Sequence, residues 1–220
     1  MRAKLPVQVL FLLGPICYLF WSHWTVLNGH ILSDSFSHLY NCYQWSQNHE
    51  MMSRLGRLFY QSINETGGAD MYRPLAIVSY CVDYSLWGVN PFAHKFIQLL
   101  FHILNGLLLF SILVKLCREY RLDLVFATMV ATLYLIFPVT PEVSAWVATR
   151  ADSLVQFFML AALYAAWRKQ LFWACLWLIL ALLSKESAIM IVPMLVSIAW
   201  FGQTRNPKLK HRIIETINRA

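Results

Sequence analysis

A chain of 220 residues has the length of one ordinary domain, yet 59% of it is hydrophobic, 13% is charged and its mean hydropathy is +0.52. Soluble domains carry about 25% charged residues, so this composition excludes an ordinary water-facing surface and points to a membrane chain. Eighteen Lys and Arg against 11 Asp and Glu give a net charge of +7, but most bases fall between apolar runs, which argues against a nucleic-acid surface. No phosphate loop, zinc-type cysteine pairing or soluble catalytic triad occurs, and nucleic acid is not an expected partner.

The first apolar run, roughly Pro6 to Phe20, follows a basic start and has the look of a signal peptide. The segment Tyr18 to Trp24 lacks a small-residue cleavage site, so an uncleaved anchor is expected. A loop of roughly 70 residues (22–93) comes next. Within it, Ser33 to Gln47 sets Phe36, Leu39, Tyr40 and Tyr43 at helical spacing, which suits an amphipathic helix lying in the interface. Leu75 to Trp87 reads as a second such helix, opened by Pro74 and stopped by Gly88 and Asn90-Pro91. Cys42 and Cys81 both lie in this loop, where an oxidising compartment would let them join.

Five further runs follow, roughly His94 to Leu116, Leu122 to Val139, Ala151 to Trp167, Leu171 to Leu183 and Ala188 to Gly202. About 20 apolar residues cross a bilayer as helix. Leu171 to Leu183 is too short for that, which leaves 171–202 open between two crossings and a re-entrant hairpin. Arg168-Lys169-Gln170 leaves little slack, so the flanking runs are expected to be antiparallel neighbours. His102 and Asn105 are expected to bridge helices.

Basic residues orient such a set because short Lys/Arg-rich loops stay cytoplasmic. With the amino terminus inside, Arg2, Lys4, Lys115, Arg118, Arg121, Arg168, Lys169, Arg205, Lys208, Lys210, Arg212 and Arg219 all fall on the inner side, 12 of the 18. The expected fold is therefore all-α: a polytopic membrane helical bundle of about six spans with both termini cytoplasmic and a cap of interfacial helices. It forms a single membrane domain over 1–220, with the outer loop at 22–93, the bundle at 94–202 and a basic tail at 203–220. An integral protein of a bacterial inner membrane is the expected location.

Chemistry at the outer face would draw on Asp34, the Tyr72-Arg73-Pro74 turn, the loop from Glu142 to Asp152, and Lys185-Glu186. A carboxylate can take a proton from a hydroxyl, and Arg or Lys can neutralise a lipid phosphate, both more strongly at low dielectric. The alternative is that these residues cap helices and pair with one another. His30, Asp34 and His38 share one helical face and could ligate zinc, yet they lack the surrounding polar shell of a metal site. No metal site is assigned; a divalent cation near Glu142 and Asp152 is left open, and no other cofactor is expected.

Several stretches carry a resemblance: Ser33-Asp34-Ser35-Phe36, Tyr72-Arg73-Pro74-Leu75, Asp83 to His94 with His102 and Asn105, Phe137 to Asp152, and Leu182-Leu183-Ser184-Lys185-Glu186. In this order they resemble the GT-C membrane glycosyltransferases, among them the protein O-mannosyltransferase-like group and bacterial relatives of the TPR-bearing O-mannosyltransferases. The resemblance implies transfer of a sugar from a polyprenyl-phosphate donor to a hydroxyl of a protein, lipid or glycan acceptor on the non-cytoplasmic face. It makes Asp34 the catalytic base and Arg73, Arg150 and Lys185 the phosphate ligands, Arg150 first. Glu142 and Asp152 would hold sugar hydroxyls, and Glu186 would position Lys185. Ser35 stands where many relatives carry a second acid, and relatives have more spans. The alternative implied is a truncated module or non-catalytic subunit that binds polyprenyl phosphate or assists a partner transferase.

Overall fold

The computed structural model describes the backbone of residues 5–31, 34–60, 72–137 and 146–204, and the side chains of 7–31, 35–60, 72–137 and 146–198. Every regular element among the described residues is helical: α1 (Leu5–Phe11), α2 (Leu13–Leu27), α3 (Asp34–Gln47), α4 (Met51–Arg57), α5 (Pro74–Trp87), α6 (Pro91–Tyr120), α7 (Leu124–Ile136), α8 (Arg150–Trp167), α9 (Leu171–Ser184) and α10 (Val192–Thr204). Short 3-10 segments, Val147–Thr149 and Glu186–Ile191, lead into α8 and α10.

The helix ends have local causes. Pro74 and Pro91 sit in the first turns of α5 and α6, where a missing N–H costs nothing. Asn90 caps α6, its Oδ1 accepting from the amides of Phe92 and Ala93 at 3.1 and 3.4 Å, and Asp123 caps α7 through the Val125 amide at 3.0 Å; each such cap contributes about 1 kcal/mol. At the end of α5 the backbone turns at Gly88 with φ +60°, a conformation that a side chain would strain.

α6 is the axis. On one side it meets α2 and α7 around Leu19, Leu27, Leu99, Ile103 and Leu135, and a second group, Leu12, Phe110, Val114, Cys117, Ala127 and Ala131, continues that core along the helix. Gly106 lets α7 come close: a Cβ there would lie 2.5 Å from Leu135 Cδ2. On the other side α6 packs against α8, which pairs closely with α9. Ala161, Ala162, Ala165, Ala174 and Ala181 are buried in these two helices, and small residues permit such an approach. The turn at 168–170 joins one end of the pair, and an Asp152–Lys185 ion pair joins the other, so α8 and α9 are antiparallel, as their short connection requires.

α3, α4 and α5 form a separate cap around Leu39, Cys42, Trp45, Leu58, Tyr80 and Cys81, with Val147 from the segment before α8. A disulfide joins Cys42 to Cys81 and so staples α3 to α5. The two loop helices expected coincide with α3 and α5, and of the apolar stripe on α3 only Leu39 turns into the cap. The buried side of α3 carries Ser35, Leu39, Cys42 and Trp45, while Phe36, Tyr40 and Tyr43 are exposed and arranged ring to ring, with centroids 6.1 and 6.3 Å apart.

Among the described residues the six apolar runs are mainly helical, and two helices are long and apolar enough to cross a bilayer: Val7–Leu27, which joins α1 and α2, and Pro91–Tyr120. Six crossings are thus more than length and composition support. α7 and α9, at 13 and 14 residues, rise only about 20 Å against a hydrocarbon core of about 30 Å, and α8 opens with Arg150 and Asp152. The surface is apolar nonetheless: Val125, Phe126, Met129, Leu133 and Ile136 run exposed down α7.

Candidate functional site

Three ion pairs converge where α5, α8 and α9 meet. Arg73 precedes α5, and its guanidinium reaches across 113 positions to Glu186, with Nη2 donating to Oε1 at 2.9 Å and Nε to Oε2 at 3.4 Å. Lys185, extended between α9 and the 3-10 turn, donates to Asp152 in the first turn of α8. Two residues earlier, Arg150 Nη1 donates to Asp83 Oδ2 of α5 at 2.7 Å. Each pair ties a different two of these segments, so the corner is latched in three directions.

The pairs differ in environment. Lys185 and Asp152 are 20% and 43% exposed, and Arg73 and Glu186 are 23% and 67% exposed, so both pairs face outward. The hydrogen bond from Arg73 holds the Glu186 carboxyl below the usual carboxylate range. Arg150 is 0% exposed. Its Nε donates to Gln98 Oε1 at 2.9 Å and its Nη2 to the His94 carbonyl at 3.2 Å, while the Tyr80 ring centroid lies 5.4 Å from Cζ. Tyr80 donates to the Val147 carbonyl at 2.7 Å, and burial pushes its phenol well above the usual tyrosine range.

The polar chain continues inward. Gln98 Nε2 donates to Ser153 Oγ at 2.8 Å, Asn105 Nδ2 donates to the Ser153 carbonyl at 3.0 Å, and Tyr134 donates to Gln156 Oε1 at 2.8 Å. His102 stacks on Tyr134 with centroids 4.9 Å apart, its Nε2 3.2 Å from the Leu135 carbonyl. His102 and Asn105 therefore bridge helices as expected. His94 lies with Nδ1 3.6 Å from Asp83, while its Nε2 donates to the Gly88 carbonyl at 2.8 Å.

Of the seven residues singled out in the sequence, five are thus brought to one corner: Arg73, Arg150, Asp152, Lys185 and Glu186. Arg150 is corrected from open phosphate ligand to internal organiser, because its guanidinium is enclosed and neutralised by Asp83. Asp152 and Glu186 face cations, which is the pairing alternative in geometric form. Glu142 and the Asp34 side chain lie outside the described residues, as does the zinc alternative that uses Asp34. α3, which begins at Asp34, meets this corner one turn later, where His38 stacks on Tyr80 with centroids 5.0 Å apart. Ser35, the position where a second acid was expected by resemblance, is buried with no hydrogen-bond partner for its hydroxyl among the described residues; a carboxylate there would be desolvated.

Two grooves among the described residues lie away from this corner. One, of about 500 Å³, lies between α6, α8 and α9; the other is an open surface beside Phe20, Trp21 and Trp24. Neither is lined by the ion-paired residues. Asp83 and His94 entered the sequence reading only as part of the Asp83 to His94 stretch, and Gln98 and Ser153 did not enter it, although His94, Gln98, His102 and Asn105 recur every three or four residues on one face of α6, a polar stripe in an apolar helix. Compared with known proteins, the chain matches no family model, no curated protein and no solved structure. A family reading therefore rests on the residues themselves.

Proposed function

We propose that this chain is a GT-C-type glycosyltransferase, or the front module of one, embedded in the bilayer as a bundle of about six helices with the cap on the non-cytoplasmic face. The observation that carries this reading is the meeting of Arg73, Lys185, Asp152 and Glu186 at one outward-facing corner, next to the helix that begins at Asp34. The apolar stripe exposed on α7 suits a lipid surrounding. A Cys42–Cys81 disulfide suits an oxidising face.

In this mechanism a polyprenyl-phosphate sugar docks with its phosphate against Arg73 and Lys185, displacing Glu186 and Asp152 as counter-ions. The acceptor hydroxyl loses its proton to Asp34 as its oxygen attacks the anomeric carbon. The bond from that carbon to the phosphate oxygen breaks, and the lipid phosphate leaves with its charge met by the two cations. Arg150, through Asp83, is a positioning residue that fixes α5 against α8.

The second reading, a non-catalytic subunit, is favoured by one observation: both outward cations already have carboxylate partners. Sugar transfer from a polyprenyl-phosphate donor by the purified chain tests the two. The enzyme reading expects turnover that Asp34→Asn abolishes. Wild-type turnover by Asp34→Asn refutes the base, and activity that appears only with a second protein favours the subunit.

A further inference from the structure

We infer that the groove between α6, α8 and α9 is a binding site for an acyl chain of an anionic phospholipid, with the lipid phosphate held by Lys115 and Arg168. This site is at the opposite end of the α8–α9 pair from the Asp152–Lys185 ion pair, and it stands independently of the glycosyltransferase reading. The groove's walls are Leu104, Leu108, Phe157, Ala161, Trp173 and Trp177, and its volume of about 500 Å³ is in the ~300–1,000 Å³ range of ligand sites. Leu104 and Trp173 on its edges are about half exposed, so it opens onto the apolar outer surface, where a lipid tail has access.

The mouth supplies the charge. Tyr164 lines the groove, and two cations are held against its ring: Lys115 Nζ at 5.8 Å and Arg168 Cζ at 5.7 Å from the centroid, with Arg168 Nη1 also 3.4 Å from the phenol oxygen. Lys115 lies 5.9 Å from the Trp167 ring as well. Around them are Arg118, Arg121 and Lys169, which makes five bases at this end against two acids, Glu119 and Asp123. Trp167 Nε1 donates to Glu119 at 2.9 Å, and Asp123 caps α7. Two cations share this ring with Glu119 as the nearby acid, so the mouth keeps an excess of positive charge that a lipid phosphate would offset. The lining is mostly apolar, with Ser111, Tyr164 and Gln170 its polar members, so a small soluble anion would leave most of the groove unfilled, whereas a phospholipid fills groove and mouth together.

The test reconstitutes the full chain into phosphatidylcholine vesicles containing a minor fraction of lipid brominated in its acyl chains, as phosphatidylglycerol or as phosphatidylcholine. Quenching of tryptophan emission is read for wild type and for Trp173→Phe/Trp177→Phe, whose difference isolates the groove. Brominated phosphatidylglycerol is expected to quench the groove tryptophans more strongly. Lys115→Gln/Arg168→Gln should cut that preference by roughly fivefold for each cation. Raising salt on the wild-type protein should weaken it too, a control that requires no variant to fold. Equal quenching by the two lipids in the wild type, or a preference that survives both the double variant and high salt, overturns the assignment.

Discussion

Arg150 and Asp83 offer the sharpest test of how the corner is held. Their atoms approach to 2.7 Å with the guanidinium 0% and the carboxylate 8% exposed. Charge centres about 4 Å apart attract by about 4 kcal/mol at an effective dielectric of about 20. Asp83→Asn leaves an uncompensated guanidinium that Gln98 and the His94 carbonyl can solvate only in part, and Arg150→Gln leaves an uncompensated carboxylate. Each single variant should lose about 3–5 kcal/mol. The double variant removes both charges, so it should lose about 2–3 kcal/mol less than the sum. Unfolding of the purified chain in mixed micelles titrated with sodium dodecyl sulfate, followed by circular dichroism, measures all four corners of this cycle. Additivity within about 0.5 kcal/mol would show that the two side chains do not act as a pair, and the latch between α5 and α8 would have to be abandoned.

The remaining expectations concern the cap, the α6–α7 contact and pH. Cys42→Ala/Cys81→Ala opens a loop with a sequence separation of 39, for which chain entropy gives about 4 kcal/mol; the same unfolding titration should find the cap destabilised by up to that amount, and an unchanged midpoint would count against a staple. Gly106→Ala drives a methyl into Leu135, which is itself fully buried, so a loss of about 1–3 kcal/mol and a lower melting temperature are expected. Glu186 has a folded pKa below its unfolded value of 4.5, so its contribution is present above pH 4.5 and disappears as pH falls through the lower folded value. Hydrogen exchange at the start of α5 should rise in that acid range in the wild type but be insensitive to it in Glu186→Gln.

Much of the fold was legible because apolar runs, prolines and caps act locally. Pro74 and Asn90-Pro91 marked the borders of α5 and α6, and the two loop helices came within a residue or two of their observed bounds. α4 was missed because seven residues with one buried contact at their end carry almost no periodic signal. The apolar stripe on α3 divides: the Phe36, Tyr40 and Tyr43 rings look outward, while Leu39 joins Ser35, Cys42 and Trp45 inside. In a chain with an apolar exterior, hydrophobicity alone does not tell inside from outside. Crossing number is harder to read for a related reason: a helix can be apolar enough for the core and still short for the bilayer.

The candidate site was legible as a set of residue types and hidden as a set of partners. Arg73 and Glu186 are 113 positions apart and Arg150 and Asp83 are 67 apart, and nothing in a local window couples such residues. Asp83 sat in plain view inside an otherwise apolar helix, where an unpaired acid is costly enough to imply a distant cation. The polar stripe on α6 was the available clue that this cation would be found within the bundle.

The bond between Cys42 and Cys81 turns residues 42–81 into a closed ring of chain. A protease that cuts anywhere inside that ring produces two pieces which travel together until a reductant is added. The helix that begins at Asp34 would consequently stay moored to the one that follows Arg73 even after a nick, and the two halves of the proposed catalytic corner would part only when both cleavage and reduction have occurred.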